Sequence, residues 1–62
     1  MATGPELSSI TTALEALTER ITAMAESMAG TERDDLASTL FEVERSLQVA
    51  HRRLDKVVSS LL

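Results

Sequence analysis

Few side chains in this 62-residue chain are of types that perform chemistry. His51 is the only histidine, and there are no cysteines. Disulfides and thiolate metal sites are therefore excluded, and a zinc site built from histidines of one chain is close to excluded. A lone histidine can act as a general base or as a pH-dependent switch. His51 lies beside an apolar stripe, however, and we expect it to be an ordinary residue at the rim of a helix contact.

The other residues with ligand or nucleophile chemistry lack the spacing that such chemistry needs. Asp34 and Asp35 are adjacent and lack the alternating spacing of a calcium-binding loop, whereas carboxylates suit the first turn of a helix. No Glu-x-x-His pair is present, which argues against a di-iron site. Ser46 and Ser59 have no evident base beside them. The sequence therefore predicts no enzyme, no metal site and no cofactor.

Basic residues cluster in the second half of the chain and have two interpretations. They are the ordinary charged end of a helix, where cations suit the helix dipole, or they contact phosphate groups of nucleic acid or a nucleotide. Ten acidic residues against six basic ones, with a formal net charge of -4, argue against nucleic acid. No aromatic residue is available there for base stacking. The candidate anion contacts are Arg45, Arg52, Arg53 and Lys56.

The elements that carry these residues are two amphipathic helices. Apolar residues recur in alternating steps of three and four, which is the a and d pattern of a heptad repeat. This spacing predicts helices over about 5–29 and 32–62. The first apolar seam comprises Leu7, Ile10, Leu14, Leu17, Ile21, Met24 and Met28, and the second comprises Leu36, Leu40, Val43, Leu47, Ala50, Leu54, Val57 and Leu61.

The residues at the predicted helix ends agree with these boundaries. Thr3 is followed three residues later by Glu6, which is a capping-box pattern, and Pro5 fits the first turn of a helix. Gly30 stands where the left-handed residue after a helix is usually glycine. Thr31 is then placed to cap the second helix. A turn this short makes the two helices antiparallel neighbours.

The sequence thus predicts an all-α protein with a single domain over residues 1–62, folded as an antiparallel helical hairpin. Layering a residues against d residues pairs Met28 with Leu36 and Met24 with Leu40. Two helices alone leave these large aliphatic side chains partly exposed, and a core of this size rarely supplies more than about 3–5 kcal/mol. We therefore expect a homodimer that forms a four-helix bundle with both seams as its core, a tetramer being the alternative.

Residues beside the seams add three expectations about surfaces. Small residues next to the first seam allow another helix to approach closely. Charged residues form an acidic ridge on one helix and a basic ridge on the other, and these ridges are either solvated faces or meet between chains and set the orientation of the dimer. Apolar residues off the seams are candidates for contact with a partner protein or a further dimer, the alternatives being a wider bundle core or scattered surface residues. The small residues are Ala13, Ala16, Ala23 and Ser27. The acidic ridge on the first helix comprises Glu15, Glu19 and Glu26, and the basic ridge on the second comprises Arg45, Arg52 and Lys56. The candidate partner residues are Phe41, Val49, Val58 and Leu62.

These observations favour an interaction module that binds itself and another protein as an adaptor or regulator, without catalysis. The alternative is a regulator that binds nucleic acid or a nucleotide through the basic residues. The sequence contains neither a signal-peptide pattern nor an apolar run near the roughly 20 residues of a membrane span. We therefore expect a cytoplasmic protein without a membrane partner. Its richness in Ala, Thr, Arg and Glu suggests a bacterial source.

Overall fold

Two long helices make up almost all of the described chain. The computed structural model describes residues 3–61, with α1 over Thr3–Met28 and α2 over Asp34–Leu61. The helices pack against each other as an antiparallel hairpin with principal extents of 48 × 14 × 11 Å. The predicted all-helical hairpin is confirmed, and the helix ends differ from the predicted ones by one or two residues. No helix within residues 3–61 is both long and apolar enough to cross a membrane.

The turn between the helices depends on a glycine and a carboxylate. Gly30 has a φ of 77°, a left-handed conformation that glycine adopts without the steric cost paid by other residues. Its N–H donates a hydrogen bond of 2.6 Å to Oδ1 of Asp34, the first residue of α2. The predicted position of the turn glycine is therefore confirmed, and the first carboxylate of α2 holds the turn closed.

Thr31 ties the end of α1 to the start of α2. Its hydroxyl donates to the carbonyl of Met28 at 2.6 Å and accepts from the N–H of Arg33 at 3.1 Å. The carbonyl of Arg33 then accepts from the N–H of Ala37, the first α-helical bond of α2. Thr31 thus caps the single turn that leads into α2, and the helix begins three residues after it.

The helices touch along a face of small residues. Ala25 is fully buried, Ala37 and Thr11 are nearly so, and no large side chain of the described residues is fully enclosed. These three residues occupy heptad position e, one residue after the d positions of the seams. The d residues of α1, by contrast, are half exposed or more: they are Ile10, Leu17 and Met24.

Contacts across the hairpin give a register that differs by one or two residues from the predicted one. Glu15 contacts His51, and a Cβ added to Gly4 would lie 3.8 Å from Cβ of Leu61. Counting along both helices from these contacts places the buried Ala25 opposite Leu40 or Phe41. The prediction that a residues layer against d residues within one chain is wrong, because the helices layer a against e.

The physical reason for this correction is side-chain size. On α1, threonine and alanine at position e let the backbone of α2 approach closely, whereas isoleucine, leucine and methionine at position d would hold it apart. Each threonine that faces α2 also satisfies its own hydroxyl within α1. Thr11 donates to the carbonyl of Leu7 at 2.9 Å, and Thr18 donates to that of Leu14 at 2.8 Å.

Candidate functional site

The a-against-e packing turns the d residues of both helices toward one side of the hairpin. In an antiparallel helix pair the same flank of each heptad lies on the same side, so both helices contribute to one surface. We call this surface the apolar face. Its large side chains are between 37% and 56% exposed, and they are Ile10, Leu17, Met24, Leu36, Val43 and Val57.

A shallow depression lies on the α1 half of the apolar face. Leu17, Arg20, Ile21 and Met24 line it, together with Ala23. The first four are spaced i, i+3, i+4 and i+7, which is the four-residue hole that receives a side chain in knobs-into-holes packing. The apolar face therefore has the shape that receives a side chain from another helix.

Small side chains border the apolar face on α1, as the sequence predicted. Ala13, Ala16, Ala23 and Ser27 are all exposed in the hairpin. They leave room for a further helix beside α1, whereas the small residues inside the hairpin are already used in the contact with α2. Ala37, by comparison, is enclosed between the two helices.

The opposite side of the hairpin carries a polar groove of about 520 Å³. We call this side the polar face. Its base holds a hydroxyl–carboxylate contact, since Thr22 donates to Glu44 across the hairpin. Part of each predicted ridge lines this groove, namely Glu15 and Glu19 on α1 and Arg52 on α2, and no ion pair joins them within 4.0 Å. The lining residues are Glu15, Thr18, Glu19, Thr22, Glu44, Gln48, His51 and Arg52.

His51 lies between two carboxylates at the edge of this groove. Its Nε2 is 3.5 Å from Oε2 of Glu15 on α1, and its Nδ1 is 3.5 Å from Oδ2 of Asp55 one turn later on α2. Its side chain is 27% exposed. The predicted position at the rim of the helix contact agrees with this placement. No hydroxyl is paired with the imidazole among these contacts, so the arrangement connects the two helices without forming a nucleophile–base pair.

The candidate anion contacts are all exposed on α2, but they share their surroundings with acidic groups. Within residues 3–61 the ion pairs are those of His51, so none of these cations has a carboxylate within 4.0 Å. Arg52 nevertheless lines the groove that contains Glu15, Glu19 and Glu44. The exposed candidates are Arg45, Arg52, Arg53 and Lys56.

The candidate partner residues that the structure describes are spread along α2. Phe41 and Val58 are partly buried in the hairpin, and they are about 25 Å apart along α2 at 1.5 Å per residue. Val49 is exposed, and Leu62 lies outside the described residues. Binding of a partner by these four residues stays a prediction.

Sequence reasoning missed the residues that lie between the helices. Thr18, Thr22 and Glu44 are polar, and a search for apolar periodicity passes over them. A signal was nevertheless present: Thr11, Thr18 and Ala25 repeat at heptad spacing and are all small. A column of small residues directly beside a column of large ones marks the face on which two helices approach most closely.

No family model, curated protein or solved structure matches this chain. Within residues 3–61 no group of three or more metal-ligating side chains is placed to hold a metal ion.

Proposed function

We propose that this chain is a homodimeric interaction module. Two copies pack their apolar faces together as a four-helix bundle, and the dimer acts as an adaptor or regulator in the cytoplasm, without catalysis. The observation that carries the proposal is the apolar face itself. It presents six large side chains on one side of a hairpin whose own interior encloses mainly alanine and threonine.

The surface area of the chain supports this assignment. A compact monomer of 6.7 kDa is expected to expose about 3,900 Å². The hairpin exposes 4629 Å², which is about 700 Å² more. A standard protein interface buries about 800 Å² on each partner. The excess surface of one copy thus approaches what one partner contributes to a stable dimer.

Stability gives a second, independent reason for a dimer. Most of the free energy of folding comes from burying apolar surface, and no large side chain of residues 3–61 is completely buried in the hairpin. A second copy would cover the d residues and the exposed side of the half-buried a residues together. Folding and association are then linked, so stability rises with protein concentration.

The polar face would remain on the outside of this dimer. Its groove carries carboxylates along α1 and a cation on α2, which gives a partner protein a pattern of charge to recognise. We propose that the adaptor function uses this face, with the partly exposed Phe41 at its edge as an apolar contact. The two-fold symmetry of a dimer would present two such grooves on opposite sides.

The alternative function is binding of nucleic acid or a nucleotide through the exposed cations of α2. What favours it is that Arg45, Arg52, Arg53 and Lys56 have no carboxylate within 4.0 Å in the described part of the chain. The carboxylates in the same groove would repel a phosphate backbone, so we expect no binding of generic DNA or RNA at low salt. Binding there that weakens steeply with added salt would favour the alternative instead.

Sedimentation equilibrium at micromolar concentration tests the homodimer. We expect a mass of two chains, and a helical circular-dichroism signal that decreases on dilution. Leu17→Glu places a charge on the apolar face and should shift the chain toward monomer. Thr12→Glu introduces the same side chain at an exposed position away from that face and serves as the control. A folded monomer at micromolar concentration would refute the proposal.

A further inference from the structure

The shape of the depression on α1 indicates which helix of a second copy could pack against it. It is a hole bounded by Leu17, Arg20, Ile21 and Met24, and a hole of this kind takes one side chain of a facing helix. A two-fold dimer of hairpins can offer that side chain in two ways. In the first arrangement the two-fold axis is perpendicular to the helices, and α1 of the second copy lies over the hole. In the second arrangement the axis is parallel to the helices, and α2 of the second copy lies over the hole.

The level of each residue along the hairpin axis indicates which residue of α2 would lie over the hole in the second arrangement. Thr22 contacts Glu44, so Glu44 and Thr22 lie at the same level along the hairpin axis. Val43 precedes Glu44 and is therefore level with the segment between Ile21 and Met24. A two-fold axis parallel to the helices preserves this level. It would bring Val43 of the second copy over the end of the hole that Ile21 and Met24 border.

The charges bordering the apolar face discriminate between the two arrangements. On α1 the charged residues that border this face are Arg20 and, 14 residues or about 21 Å earlier along the helix, Glu6; the other bordering residues are small, namely Ala13, Ala16, Ala23 and Ser27. With α1 over α1, the two copies of Arg20 would approach each other without a counterion. With α1 over α2, Glu42 beside Val43 offers a carboxylate about one helical turn from Arg20.

We propose that the dimer packs α1 of each copy over α2 of the other, with Val43 in the hole on α1 and Arg20 paired with Glu42 across the interface. This arrangement rests on the proposed homodimer and adds its geometry. Both sites occur twice by symmetry, so the dimer contains two filled holes and two inter-chain ion pairs. The exposure of Val43, at 38% in the hairpin, is then removed by the contact.

Disulfide cross-linking of engineered cysteines tests the arrangement cleanly, because the natural chain has no cysteine. Two single variants, Met24→Cys and Val43→Cys, are mixed, allowed to exchange subunits and oxidised. We expect a cross-linked species that contains one chain of each kind, identified by mass. A mixture of Met24→Cys with Gln48→Cys, a residue of the polar face, is the control and should remain unlinked.

The opposite arrangement has its own signature. With α1 over α1 and Leu17 as the side chain in the hole, the two copies of Leu17 are neighbours, so Leu17→Cys alone would form a disulfide dimer. That result, without a link between Met24→Cys and Val43→Cys, would overturn the arrangement and leave the homodimer intact. A folded monomer in sedimentation would instead overturn the homodimer and this inference with it.

Charge reversal gives a readout that does not depend on cysteine chemistry. Arg20→Glu places two carboxylates together and should raise the dimer dissociation constant roughly tenfold, as expected for two exposed ion pairs. Glu42→Arg should have a similar effect. The double variant restores opposite charges and should return most of the affinity. If the double variant is as weak as the product of the two single effects, Arg20 and Glu42 do not meet.

Discussion

Leu17→Ala distinguishes the dimeric from the monomeric state of this protein by whether its effect depends on protein concentration. Leu17 lies at the centre of the apolar face and is 50% exposed in the isolated hairpin. In a monomer the substitution removes only the apolar surface that the hairpin itself buries, and the higher helix propensity of alanine offsets part of this loss, so its effect is the same at every concentration. In the proposed dimer it also removes surface buried between the chains, so it weakens association.

The size of the effect follows from the exposed half of the side chain. Complete burial of a leucine contributes about 1.5–3 kcal/mol, so burial of the remaining half of Leu17 contributes about 0.7–1.5 kcal/mol per copy. Two copies meet in each dimer, which gives about 1.5–3 kcal/mol. We expect the dissociation constant to rise about tenfold to a hundredfold, since each 1.4 kcal/mol is a factor of ten.

Sedimentation equilibrium over a dilution series measures this change, and thermal unfolding followed by circular dichroism at each concentration measures the linked stability. Leu14→Ala is the matched comparison, since Leu14 is partly buried in the hairpin itself. It should lower stability at every concentration, whether or not the chain dimerises. If Leu17→Ala leaves the mass unchanged over the dilution series, Leu17 does not contact a second copy and the proposed interface is wrong.

The hairpin itself can be tested at the turn and at its closest approach. Gly30→Ala should lower the free energy of unfolding by about 1 kcal/mol because of the left-handed φ, whereas Gly4→Ala, whose Cβ would make an ordinary contact, should not lower it. In urea unfolding, Asp34→Ala should cost about 1 kcal/mol through its lost bond to the Gly30 N–H, and Asp35→Ala, which lacks that bond, should cost less. Ala25→Leu should cost about 1–3 kcal/mol, because a fully buried alanine at the helix contact leaves no room for a larger side chain. Equal effects in either matched pair, or a neutral Ala25→Leu, would contradict this description of the turn and the contact.

The two helices and their turn could be predicted from the sequence because local signals there agree with one another. Heptad spacing predicted both helices, and Gly30 with the following acidic residues marked the turn between them. Periodicity alone identifies which residues share a stripe. It does not tell whether the stripe lies between the two helices of one chain or on the outside of the pair.

The face of contact was therefore the part that sequence reasoning predicted incorrectly. The large d residues were expected between the helices, but side-chain volume decided otherwise. Ala25 and Thr18 are smaller than Met24 and Leu17, and the closest packing of two helices uses the small side. Glu44 was also missed as a contact residue, because its partner Thr22 lies far away in sequence. The rim position of His51 was predicted, but its contact with Glu15 was not.

The corrected geometry makes the case for a second copy stronger than the predicted one did. Helices that pack in bundles commonly show an apolar stripe wider than one seam, with a, d and one flanking position turned inward. In this hairpin, position e faces the neighbouring helix of the same chain, position d faces outward, and position a lies between them. Each helix can therefore contact the other helix of its own chain through positions a and e, and a helix of a second copy through positions a and d. Had the d residues met the a residues inside the hairpin, the neighbouring helix would have covered part of each d side chain, and the outside would have exposed less apolar surface. The exposure of Leu17 and Met24 is thus the consequence of close packing within the chain, and we infer that it is also the reason for packing between chains.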